Sequence, residues 1–168
     1  MSLLKQSSDF KEEEGSLILR NVQLTKINID AIKKKLVEIK SPLANITNDA
    51  VLYKVAHIDF NNNNLMSLVG IEVFDHIVHL NIAKNSIAPS SLSCLSAKAI
   101  TTITHINLSQ NKLKNIPWKE LKILSNLIDM VFDYNNVEDI NPNEVLAHSA
   151  FSLPLKSISS KRNKIRNF

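Results

Sequence analysis

Three of the five histidines in this 168-residue chain stand directly before an apolar–polar–apolar triplet: His57-Ile58-Asp59-Phe60, His79-Leu80-Asn81-Ile82 and His105-Ile106-Asn107-Leu108. Imidazole changes charge near neutral pH. Histidines at matched positions can therefore ligate a metal, relay protons or serve as hydrogen-bonding groups in recognition. Zinc needs ligand atoms converging on one point at ~2.1 Å, whereas matched positions on neighbouring parallel strands project side by side. No metal and no cofactor are expected. Catalysis would need a nucleophile or an acid–base pair in a known setting, and neither G-x-S-x-G nor H-E-x-x-H occurs. Two glycines in the whole chain exclude a glycine-rich phosphate loop. Cys94, in "SSLSCLSAKAI", has no histidine assigned to it and is expected to be a buried thiol. No enzyme activity and no small-molecule substrate are expected. The histidines are then either a solvated polar position propagated by duplication or part of a partner-binding patch.

What positions them is a repeat. "IVHLNIAKNSI" (Ile77 to Ile87) fits L-x-x-L-x-L-x-x-N-x-L, with L standing for any aliphatic residue or Phe. "VAHIDFNNNNL", "ITHINLSQNKL" and "LIDMVFDYNNV" fit it too. "LKSISSKRNKI" fits with Ser160 in place of an aliphatic, and "SLILRNVQLTKI" is a degenerate copy with Val22 where Asn belongs. Ile58 to Leu80 spans 22 residues, followed by 26 to Ile106, 24 to Met130 and 28 to Ile158. The alternating pair puts two aliphatic side chains on one side of a short strand. The asparagine comes where the chain turns away, and its amide can satisfy backbone groups that the turn strands. Stacked copies would set Asn63, Asn85, Asn111, Asn135 and Asn163 in a structural ladder. No single copy can bury its apolar face alone, so the copies must stack.

The pattern resembles the leucine-rich-repeat family, of the intracellular type, over about Leu17 to Ile165. The resemblance implies an α/β right-handed solenoid of about six coils, with a parallel-strand concave wall and a 3₁₀ or helical convex side. It implies residues 1–15 as a polar lead and 16–168 as the repeat domain. It also implies a protein–protein interaction module, a scaffold or adaptor binding through its concave face. Alternatives are a ribonucleoprotein component that binds a protein and RNA, or a regulatory subunit positioning an enzyme such as a phosphatase.

On the convex side Leu65, Leu68, Ile71, Phe74 and Ile77, spaced by three, predict a tight 3₁₀-like return. Pro117 predicts a helix start, with Trp118 buried and Leu121, Leu124 and Leu127 facing inward. Leu17 and Ile58 are 41 residues apart, room for nearly two repeats. Within that gap Asp30 is expected to cap a helix whose inward residues are Ile32, Leu36, Val37 and Ile39, with Lys33, Lys34 and Lys35 facing water. "LANITND", after Pro42, reads as a loop or a decayed repeat.

The columns beside the aliphatic pair project into the concave space. The candidate partner-binding residues are His57, Asp59, His79, Asn81, His105, Asn107, Asp129, Val131 and Asp133. Protonation near pH ~6 would set like charges side by side in the histidine column and weaken a contact there. Net charge is +4, but Lys156, Lys161, Arg162, Lys164 and Arg166 account for the excess, and the rest carries 15 basic against 16 acidic residues. Nucleic acid is therefore expected, if anywhere, at the basic C-terminal stretch. The lone cysteine and the polar N-terminal residues suggest the cytoplasm or nucleus, and no apolar run is long enough for a membrane span. The last repeat reads as incomplete or uncapped, as in a fragment of a longer repeat protein.

Overall fold

The computed structural model describes residues 15–45, 49, 52, 54–96, 101–121, 123–139 and 154–166. The lead before residue 15 and most of "ITND" lie outside them. Six three-residue strands pair in parallel in chain order: β1 (Ser16–Ile18), β2 (His57–Asp59), β3 (His79–Asn81), β4 (His105–Asn107), β5 (Asp129–Val131) and β6 (Ser157–Ser159). Each strand is one rung and each return runs outside the sheet. Ile71–Val73 and Pro89–Ser96 return as 3₁₀ turns, and α2 (Trp118–Leu121) follows Pro117. The apolar residues spaced by three after Asn63, and Leu121, Leu124 and Leu127 after Pro117, are all fully buried, and Trp118 is buried with them. The core is a continuous aliphatic column, with Phe60, Phe74 and Phe132 as its largest fully buried side chains.

The asparagine ladder holds the coils together. Asn111 accepts the Ile87 N–H at 2.9 Å and donates to Ile82 O at 3.0 Å and Leu108 O at 3.1 Å. Asn85 and Asn135 repeat this pattern, and Asn163 does so half-buried at the last rung. Because the acceptor faces an N–H and the donor faces two carbonyls, the amide orientation is dictated by its partners. Where the first copy has Val22 instead of Asn, Asn63 accepts both the Val22 and Leu24 N–H groups, at 3.1 and 2.9 Å. The residue before each ladder position is left-handed: Asn21, Asn62, Lys84, Gln110, Tyr134 and Arg162 have φ between 53° and 59°.

β1 pairs directly with β2, Ser16 opposite His57, so the 41-residue interval is one enlarged coil with no strand among its described residues. It holds α1 (Ile29–Glu38) and a 3₁₀ turn at Pro42–Asn45. Here two expectations are corrected. The cap is Asn28, extended at φ −153° and ψ 160°, whose Oδ1 accepts the Ala31 N–H at 2.7 Å; Asp30 lies inside the first turn. Only Ile32 and Leu36 of the four apolar residues face inward. Val37 and Ile39 are exposed because the helix ends there: Lys40 turns left-handed at φ 54°, and Lys40 and Ser41 donate to Val37 O and Leu36 O. Lys34 faces water as expected, whereas Lys33 pairs with Asp49 and Lys35 with Glu38. In the last rung Ile158 is 44% exposed, the only inward strand residue left open among those described.

Candidate functional site: the concave wall

The strand register sets the wall. His57, His79, His105, Asp129 and Ser157 are partners along one column, headed by Ser16. Asp59, Asn81, Asn107, Val131 and Ser159 form the next, headed by Ile18. From β1 to β5 both columns line an open trough of about 410 Å³.

The imidazoles stack face to face. Ring centroids are 4.5 Å apart for His57–His79, tilted 31°, and 4.3 Å for His79–His105, tilted 18°. Parallel strands ~4.8 Å apart impose that spacing. His105 is anchored at both nitrogens: Nε2 lies 2.8 Å from Asp129 Oδ2 and Nδ1 lies 2.7 Å from Thr104 Oγ1. The Thr104 hydroxyl also reaches Val78 O at 3.2 Å. Burial holds the His79 pKa below its ordinary value, helped by the charges of His105 and His57 on either side. Among the described residues, no side-chain hydrogen bond engages His57 or His79.

The neighbouring column is largely committed to the fold. Asp59, Asn81 and Asn107 each accept, through Oδ1, the N–H two residues on, at 2.9, 3.2 and 3.0 Å. These Asx turns redirect the chain out of the strand. Asn81 Nδ2 also donates to Asp59 Oδ2 at 3.1 Å, and Asn107 Oδ1 takes the Ser109 hydroxyl at 2.6 Å. Arg20, which the repeat pattern does not single out, forms an ion pair with Asp59 at 2.6 Å. Its signal lay in the degenerate first copy, one residue beyond the aliphatic pair, where Asn61 and Ala83 stand in later copies. Asp133 Oδ1 accepts from the Ser159 hydroxyl and the Lys161 N–H, both at 2.7 Å, tying β5 to β6. Val131 is half-buried and puts an apolar spot among the polar groups. Eight of the nine sequence-predicted wall residues therefore line one trough, from His57 to Val131, while Asp133 lies two residues beyond Val131 and outside that lining. In the first column the edges of His57 and His79 are open and His105 is bonded to Asp129; in the second Asp59, Asn81 and Asn107 are bonded within the fold.

Among the described residues no group of three His, Cys, Asp or Glu could hold a metal ion. Cys94 lies away from the wall in the Pro89–Ser96 turn, half-buried, and burial pushes its thiol up to about 11.

No protein-family description and no curated protein matches the chain. Solved structures do. Internalin C2 of Listeria monocytogenes is 21% identical with a TM-score of 0.56, over 75% of this chain and 50% of that one. The fold is a leucine-rich-repeat solenoid. An internalin, inlF of the same organism, aligns at 15% identity and a TM-score of 0.44, over 92% of this chain and 49% of that one. The solenoid described here thus spans about half the length of either internalin chain. Among its described residues no helix is long and apolar enough to cross a membrane.

Proposed function

We propose that this solenoid is a protein–protein interaction module, a scaffold or adaptor, that holds a partner against its concave wall. The observation that carries the reading is the division of labour on that wall. Asp59, Asn81, Asn107 and Asp133 are bonded within the fold, while the edges of His57 and His79 face an open trough with their hydrogen-bonding capacity unspent. Rings held rigid by stacking lose little entropy on binding and present their polar edges to the trough. Val131 adds an apolar anchor at the far end of the same trough. An intracellular setting, cytoplasmic or nuclear, is part of this proposal and rests on the unpaired cysteine.

The test is an affinity pull-down from lysate with the wild-type chain and the H57E/H79E/H105E variant, after circular dichroism has matched their folds. A partner retained by the wild type and lost by the variant supports the reading. A partner held equally by both removes it.

A further inference from the structure

A second surface lies on the flank where the chain leaves each strand at the ladder asparagine. Backbone hydrogen bonds align that flank in rows. Lys84, Gln110 and Tyr134 donate to Ser109 O, Asp133 O and Lys161 O, which sets Lys84, Gln110, Tyr134 and Arg162 in one row. Lys112, Asn136 and Lys164 donate to Ile87 O, Leu113 O and Val137 O, which aligns those three. Glu138 donates to Lys114 O and Arg166 to Glu138 O, giving a third row. With Lys161 beside them, the cations of these rows are all exposed, and among the described residues none forms an ion pair. The Arg162 guanidinium sits 5.3 Å over the Tyr134 ring. The acids on the flank among the described residues are Glu138 and Asp139, both exposed, and Asp133, half-buried, whose carboxylate accepts the Lys161 N–H. Elsewhere among the described residues Arg20, Lys33 and Lys35 each have a carboxylate, while Lys26, Lys34, Lys40, Lys54, Lys119 and Lys156 are exposed without one but are not aligned in rows by the ladder.

Within each row the cations lie two or three rungs of ~4.8 Å apart, about a Debye length or more at physiological salt, so the like charges crowd most on the last coil, where Arg162, Lys164 and Arg166 alternate along the chain. They repel one another and project a positive field that attracts an anionic partner. We propose that this flank is a docking surface for an acidic segment of a protein partner, separate from the concave wall. Two observations favour an acidic polypeptide over nucleic acid. Glu138 stands between Lys114 and Arg166, and Asp139 follows it, so a continuous phosphate backbone would pass directly over carboxylates. An acidic segment can set neutral or basic side chains against them. A nucleic-acid strand also wants successive aromatic platforms. The rows carry one aromatic ring among the described residues, Tyr134, and a guanidinium already covers it.

The experiment uses the full chain and fluorescence anisotropy with two probes of equal charge, an oligoglutamate and an oligouridylate of about ten residues each. The oligoglutamate is expected to bind at low salt and to weaken about tenfold or more in K112E/K164E, since like charges then face the probe. K34E/K54E, which makes the same change in net charge on α1 and ahead of β2, is expected to stay within about twofold. Circular dichroism confirms folding, and if the reversal variant is unfolded the K112Q/K164Q variant takes its place with an expected loss of about threefold. Three results overturn the proposal: tighter binding of the oligouridylate, an equal loss in both lysine variants, or no peptide binding to the wild type at ~50 mM salt.

Discussion

Asn111 makes the ladder testable with one substitution. Among the described residues its Oδ1 alone accepts the Ile87 N–H, at 2.9 Å, whereas the carbonyls its amide serves are shared. Ile82 O also accepts from Asn85 at 3.1 Å, and Leu108 O from Asn135 at 2.9 Å. In Asn111→Ala the carbonyls each keep one donor, and a single N–H is orphaned in a region where Asn111 itself is 7% exposed. An orphaned buried N–H costs about 1–3 kcal/mol, and the weakened carbonyls add roughly 1 kcal/mol, for a total of about 2–4 kcal/mol. Urea unfolding with a slope of ~2 kcal/mol/M should move its midpoint down by about 1–2 M. Asn111→Asp separates hydrogen bonding from volume. Its carboxylate can still accept the Ile87 N–H but turns its second oxygen on two carbonyl oxygens. That repulsion raises the carboxyl pKa, so Asn111→Asp must be destabilising at pH 7 and recover stability as pH falls and the second oxygen becomes a donor. A loss below about 0.5 kcal/mol in Asn111→Ala, or an Asp variant whose deficit does not shrink in acid, would refute the reasoning.

Further outcomes follow from other sites. Gly70→Ala places a Cβ 1.8 Å from Ile27 O at φ 101°, and the obstacle is backbone; a loss of roughly 3 kcal/mol is expected, lowering the thermal midpoint by about 6–12 °C. His79 has a folded-state pKa below its ordinary 6.5, so the unfolded chain binds the extra proton, and its contribution to stability is present above pH 6.5 and lost as pH falls through the depressed pKa. NMR titration should put the His79 ring midpoint below 6.5, and His79→Asn should flatten the decline in stability over that range. The Cys94 thiol, pushed up to about 11, should react with iodoacetamide far more slowly at pH 8 than a free cysteine does, and faster only on unfolding.

The strand columns were legible in the sequence because side chains alternate with period two and the asparagine marks each turn. The histidine column follows at once from Ile58, Leu80 and Ile106 being in register. The role of the adjacent column was not legible. Whether Asp59 or Asn107 serves a partner or its own backbone depends on the φ and ψ of the turn, which residue type does not reveal. Arg20 was hidden for a related reason: its copy lacks the asparagine, and its partner Asp59 stands 39 residues away. At α1, Asn28 and Asp30 are both good caps, and the choice depends on where the first turn begins. Val37 and Ile39 match the helical period but fall where the helix is already unwinding through Lys40. The basic flank was visible only as a C-terminal charge excess. Its continuity with Lys84, Lys112 and Lys114 emerges when the coils are stacked.

The most direct test of partner binding on the concave wall is site-specific photo-crosslinking. Benzoylphenylalanine would replace Val131, inside the trough, or Val69, 65% exposed on the return after Leu68. Adducts with a protein partner at position 131 and none at 69 are predicted, and they should disappear in the H57E/H79E/H105E background. Adducts at 69 with none at 131 would contradict the concave-wall account.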